Sequence, residues 1–198
     1  MKPVNPILIA ILFLFASTNC RSETPSRFAI GANYYALTYH PGGGGAKYPR
    51  ELDKKAYWVV QVGAESNIDY YVLPWLLVRG AGSLFRDCAD VWAGYAHLGF
   101  RLNWNPTSRA SFRIGIGPTL LWRESWLGKV VSFKGNPYTG DPFYGNPKST
   151  DKYQSRWIIY GGNMEAEWKI NRSLGLIYSL VPGFPFVITS SVGLRKTF

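Results

Sequence analysis

The chain has 198 residues, a formal net charge of +10, 16% aromatic residues and only 17% charged ones. That is rich in rings and poor in charge beside the roughly 25% charged residues of soluble domains. Beyond the first residues no window holds the roughly 20 apolar residues of a membrane helix, which excludes a helical membrane protein. The basic residues fall on polar faces of strands or in loops and form no stripe interleaved with stacking rings, so nucleic acid is not an expected partner.

Residues 1–22 read as a secretory signal peptide. Lys2 is the positive end, and Ile7 to Ala16 is the apolar run. Cleavage fits before Asn19 or before Glu23. Ser17-Thr18-Asn19-Cys20 is a loose match to a lipobox and leaves lipidation of Cys20 open. A disulfide from Cys20 to Cys88 is not expected, because the two fall at opposite ends of the strands. Cys88 has no Cys or His spaced to form a metal site with it, so it reads as a lone loop thiol.

From residue 27 to 198, eight strands are predicted: 27–39, 56–68, 70–86, 91–104, 110–126, 156–170, 173–181 and 186–198. Their signature is alternation with period two. Phe28, Ile30, Ala32 and Tyr34 share one face of strand one, opposite Gly31, Asn33 and Tyr35. In strand two Trp58, Val60, Val62 and Ala64 oppose Gln61, Gly63, Glu65 and Asn67. Strand three alternates least cleanly: Trp75, Leu77 and Phe85 fall on the polar side with Arg79. Tight turns are expected at Asn67-Ile68-Asp69, Asn105–Arg109 and Asn171–Ser173. Longer loops, among them Leu127–Ser155, are expected at the other end. His40–Lys55, the first long loop, holds Gly42 to Gly45, but no Gly-Lys-Ser/Thr follows to make a phosphate loop.

The clearest pattern lies in the hairpin Val91–Trp126. Trp92, Ala96, Leu98, Phe100, Leu102 and Trp104 share a face, as do Phe112, Ile114, Ile116, Leu120 and Trp122. Trp92 and Trp104 lie about 28 Å apart along the normal of a tilted strand, close to the roughly 25 Å band between aromatic girdles. If the turn is tight, Arg101 faces Arg113, Gly99 faces Gly115, and His97 faces Gly117. Pro118 predicts a bulge nearby, since proline removes a ladder bond. In strand six Ile158, Tyr160, Met164, Ala166 and Trp168 point out, opposite Asn163, Glu165, Glu167 and Lys169. In strand eight Ile188, Val192, Leu194 and Phe198 oppose Thr189, Ser191, Gly193 and Arg195.

These patterns predict an all-β fold: an eight-stranded antiparallel up-and-down transmembrane barrel, with a polar interior filled by side chains. Facing arginines require acids, so Glu65, Arg101, Arg113, Glu165, Glu167, Lys169 and Arg195 are expected to form an interior ion network. A soluble ligand carrier of lipocalin type would have its faces reversed, and stands as an alternative.

The closing strand Gly193-Leu194-Arg195-Lys196-Thr197-Phe198 resembles that of bacterial outer-membrane β-barrels as a class. It looks like the small eight-stranded barrels, such as the OmpA and PagL types. The resemblance implies an outer-membrane location, contact with outer-membrane lipid or lipopolysaccharide, and reading of Phe198 by the barrel-insertion machinery. PagL-type barrels are lipid A deacylases with a His-x-Ser pair. Here His97 is followed by Leu98 and Gly99, and His40 by Pro41 and Gly42, so that motif is missing.

His97, His40 and Glu124 remain candidate polar site residues for an outer-leaflet acyl hydrolase, the second functional reading. The first is a non-enzymatic barrel whose extracellular loops do structural or binding work. Lys129, Lys134, Lys148 and Lys152, interleaved with Tyr138, Phe143, Tyr144 and Tyr153, suit phosphate headgroups or an external partner. No cofactor and no metal are expected.

Overall fold

The structure, a computed structural model, describes residues 27–40, 50–55, 57–127, 132–133, 136–137, 144, 152–183 and 187–198. The predicted signal peptide, Cys20 and the glycine run lie outside them. Eight strands form the barrel, labelled here β1 (Phe28–Tyr39), β2 (Trp58–Leu73), β3 (Leu76–Arg86), β4 (Trp92–Trp104), β5 (Ala110–Glu124), β6 (Tyr153–Lys169), β7 (Leu174–Gly183) and β8 (Val187–Thr197). Each pairs antiparallel with its chain neighbours, and β8 closes on β1. A two-residue ribbon, Ser132–Phe133 with Asn136–Pro137, lies in the long loop.

Closure is staggered. Paired neighbours lead from Trp104 through Phe112, Ala166, Tyr178, Val192, Tyr34, Ala64 and Leu84 back to β4 at Gly94, ten residues from the start. A stagger of this kind tilts the strands, typically by about 35–45°. The alternation then decides what lies inside. Phe100, Ile114 and Leu194 are exposed on the outer wall, whereas Arg101, Arg113 and Arg195 are buried within. A soluble carrier needs the reverse, so that alternative is set aside.

Three local expectations need correction. The first tight turn is Pro74-Trp75, not residues 67–69: β2 runs to Leu73 and pairs Leu73 with Leu76. Asn67 and Asp69 looked like turn formers, but they continue the inward face of β2 and are buried. Pro74 sits where no ladder N–H is required, and its carbonyl accepts from Asn103 Nδ2 at 3.0 Å.

The β4–β5 register also differs. Arg101 pairs with Gly115, Asn103 with Arg113 and His97 with Thr119. The turn is wider than a minimal one. Thr107 Oγ1 accepts from Arg109 N (3.2 Å) and Ala110 N (2.9 Å), and Ser111 Oγ donates to Asn105 Oδ1 at 2.6 Å. Like charges therefore do not stand opposite each other. The third correction is Ile158, which is half-buried rather than outward. The register between β5 and β6 shifts between Gly117 and Thr119. The expected bulge is there, with the extra residue on β6, and it turns the faces of that strand above it.

Candidate functional site

Seven buried charged side chains from six strands meet in the lumen. Arg79 (β3) grips Asp69 (β2) with both ends of its fork, Nε–Oδ1 at 2.6 Å and Nη2–Oδ2 at 2.7 Å. Glu165 (β6) is the hub. Its oxygens lie 3.0 Å from Arg79, 3.4 Å from Arg101 (β4), 3.0 Å from Arg113 (β5) and 2.7 Å from Arg195 (β8). Glu167 takes Arg113 at 2.6 Å, and Asp69 takes Arg195 at 2.8 Å. No side chain in the set is more than 3% exposed.

The sequence makes room for these long groups by placing glycine beside them. A Cβ at Gly115 would lie 2.6 Å from Arg101 Cγ, and one at Gly175 would lie 2.1 Å from Glu167 Oε1. Buried charge of this density persists only because it is paired. It also fills the lumen, so the barrel is closed by its own side chains.

Membership of this cluster differs from the expected network at both ends. Glu65 stands apart, four residues along β2 from Asp69, about 13 Å at strand rise. Its Oε1 accepts from Asn33 Nδ2 (3.3 Å) and Asn67 Nδ2 (2.9 Å). Its Oε2 accepts from Tyr35 OH at 3.1 Å and from Tyr95 OH. Neutral donors thus replace the expected cations.

Lys169 is half-buried at the short-turn end and joins no ion pair among the described residues. Asp69 and Arg79 complete the set instead. Asp69 was hidden by its turn-like neighbours; the signal that locates it is the unbroken alternation Gln61, Gly63, Glu65, Asn67, Asp69.

The candidate site residues do not converge. His97 Nδ1 lies 2.7 Å from Thr119 Oγ1, within the lumen. His40 follows the end of β1, and Glu124 ends β5, strands that stand opposite each other in the ring. Glu124 Oε2 accepts from the backbone of Trp92 at 3.1 Å, which ties the tops of β4 and β5. Among the described residues no three His, Cys, Asp or Glu side chains are grouped to hold a metal.

The long-loop end is built as a rim. Asp87 accepts from Ala89 N (2.9 Å), Val91 N (3.2 Å) and Trp126 Nε1 (2.7 Å). Burial pushes its carboxyl above the usual range despite those donors, and burial likewise raises the neighbouring Cys88 thiol. Cys88 packs with Val59 and Trp126. The Arg123 guanidinium lies 3.9 Å from the Trp126 ring and 4.2 Å from that of Tyr144. Arg86 covers Trp92 at 4.3 Å, and Arg50 reaches Asp90 at 2.6 Å. Lys152 is exposed, with Nζ 5.3 Å from the Tyr153 ring. Lys129, Lys134 and Lys148 lie outside the described residues. At the opposite end Phe198 is exposed, and its amide donates to Phe28 O at 3.0 Å.

No family description and no curated protein matches the chain. Solved structures do. Neisserial surface protein A (NspA) aligns over 89% of this chain and 100% of its own, with a TM-score of 0.51 and 13% identity. Ail, the attachment invasion locus protein of Yersinia pestis, in complex with the heparin analogue sucrose octasulfate, covers 86% of this chain and 96% of its own at 10% identity, TM-score 0.46. The N-terminal β-barrel domain of Pseudomonas aeruginosa OprF covers 86% and 97% at 9% identity, TM-score 0.45. The chain has the fold of the small outer-membrane barrels. Around the described strands the exposed outer face carries large apolar side chains, the arrangement of a barrel wall that faces hydrocarbon.

Proposed function

We propose that this outer-membrane barrel works by binding and not by transport or catalysis: a rigid, self-plugged cylinder that holds a basic, aromatic rim at the cell surface. The observation that carries this reading is the buried cluster around Glu165. It spans six strands and leaves the lumen to its own side chains. The rim is the part left for function, and the charge of Lys152 and of the loop residues Lys129, Lys134 and Lys148 suits phosphate-bearing lipid headgroups. Outer-membrane lipid or lipopolysaccharide is the proposed partner there. The barrel-insertion machinery is the proposed reader of Phe198, whose exposed ring lies at the closing seam.

Titration of lipopolysaccharide into the protein in nanodiscs tests the reading. Replacing the four lysines by glutamine is expected to weaken binding by about tenfold or more. The lipid A mass spectrum of cells with and without the protein is expected to be the same. A lost acyl chain would overturn the binding reading in favour of an outer-leaflet hydrolase.

A further inference from the structure

We infer that the short-turn end of the barrel binds anionic phospholipid, through an arc of five cations: Arg27, Arg109, Lys169, Arg172 and Lys196. Arg27, Arg109, Arg172 and Lys196 are exposed, and Lys169 is half-buried. None of the five joins an ion pair among the described residues.

The fold sets these cations side by side. In the ring β1, β8, β7, β6 and β5 are successive neighbours. Arg27 precedes β1, Lys196 lies on β8, Arg172 is in the β6–β7 turn, Lys169 ends β6, and Arg109 is in the β4–β5 turn. Backbone hydrogen bonds join these segments at the strand ends. Phe198 N donates to Phe28 O at 3.0 Å, Thr197 N to Ser173 O at 2.8 Å, and Lys169 N to Arg109 O at 2.7 Å. The backbone beneath the arc is therefore fixed. The remaining turn, Pro74-Trp75, carries no charge.

No carboxylate side chain balances the arc. Residues 27–28, 105–110, 169–174 and 196–198 contain no Asp or Glu. Glu167, the nearest acid along β6, is buried and taken by Arg113 at 2.6 Å. The segment before residue 27 cannot supply the counter-charge, for it holds Lys2 and Arg21 against one acid, Glu23. The other undescribed segments connect strands at the opposite end. Even with the terminal carboxylate of Phe198 counted, the arc keeps a positive surplus. The long-loop rim differs: Arg50 pairs there with Asp90 at 2.6 Å, and Glu51, Asp53 and Glu124 belong to the same rim.

Depth decides the class of partner. Phe198, Trp168 and Trp104 are exposed on the outer wall at this end. Rings so placed form the girdle at the membrane interface. Lys196 lies on the same outer face as Phe198, with Nζ 5.3 Å from that ring, and Trp168 directly precedes Lys169. The cations are thus level with the lipid phosphates. A phosphodiester offers Lys and Arg a full negative charge and strong acceptor oxygens. Clusters of four to eight such residues at a membrane edge favour anionic lipid.

The test is spin-labelled lipid association with the full protein in phosphatidylcholine vesicles. The probe is a trace of phosphatidylglycerol labelled on its acyl chain, compared with phosphatidylcholine bearing the same label. The protein is expected to retain phosphatidylglycerol about twofold or more over phosphatidylcholine at low salt, with the excess shrinking as salt is raised. Replacing the five cations by glutamine should remove about half of the excess or more, and replacing the four rim lysines should remove less. Those lysines belong to the opposite end, so this reading and the one above can fail separately. Should the fivefold variant not insert, Arg109→Gln with Arg172→Gln, both in exposed turns, should still lower the excess by about a quarter. Equal retention of the two lipids by the native protein would overturn the proposal and leave the arc to a soluble anionic partner. So would an excess that survives in both variants of the arc, or one lost only with the rim lysines.

Discussion

Glu165 is the residue on which the interior depends. It lies within ion-pairing distance of four guanidinium groups, so its loss leaves buried cations facing one another. Glu165→Ala is expected to lower stability by about 3–5 kcal/mol, read from urea unfolding in lipid vesicles. Lys169→Ala, at a half-buried residue outside the cluster, should stay within about 0.5 kcal/mol. Asp87 supplies a pH dependence at the rim. Burial raises its carboxyl, so the folded state keeps the proton to higher pH than the unfolded chain does. Stability from this group is fully present below the unfolded carboxylate value and is lost as pH rises to the folded one. Unfolding midpoints measured across that window should fall with rising pH, and Asp87→Asn should flatten the fall.

At the scale of strands and turns, backbone approach decides what can be substituted. A Cβ at Gly117 would lie 2.2 Å from Leu98 O and 2.4 Å from Gly99 Cα, both backbone atoms that cannot swing away. Gly117→Ala should cost about 1–3 kcal/mol in the same unfolding assay. Gly80→Ala, with nothing within 4 Å of its Cβ, should be close to neutral.

Strand identity and facing were legible in the sequence because period two is a local signal. Phe100 against Arg101, or Leu194 against Arg195, needs no knowledge of the neighbours. Register was not legible in the same way. It depends on turn chemistry at Thr107 and Asn105, which widened the β4–β5 turn and separated Arg101 from Arg113. Asp69 was missed because one side chain suits both a turn and a buried ion pair, and only the tertiary partners Arg79 and Arg195 decide between them.

At the scale of the molecule, a stagger of ten residues on eight strands gives a narrow cylinder that buried arginines and carboxylates fill. Purified protein in planar bilayers is expected to show no stepwise conductance; steady open steps would mean the cluster does not seal the lumen. The central claim is that the apolar outer wall lies in hydrocarbon. Site-directed spin labelling in vesicles tests it most directly, with labels placed singly at Phe100, Ile114 and Leu194 in a Cys20→Ser, Cys88→Ser background. Labels at these positions are expected to collide freely with dissolved oxygen and to be shielded from an aqueous nickel chelate, whereas a label at Leu52 on the rim should meet the chelate. Chelate access at Phe100, Ile114 and Leu194 equal to that at Leu52 would contradict the account.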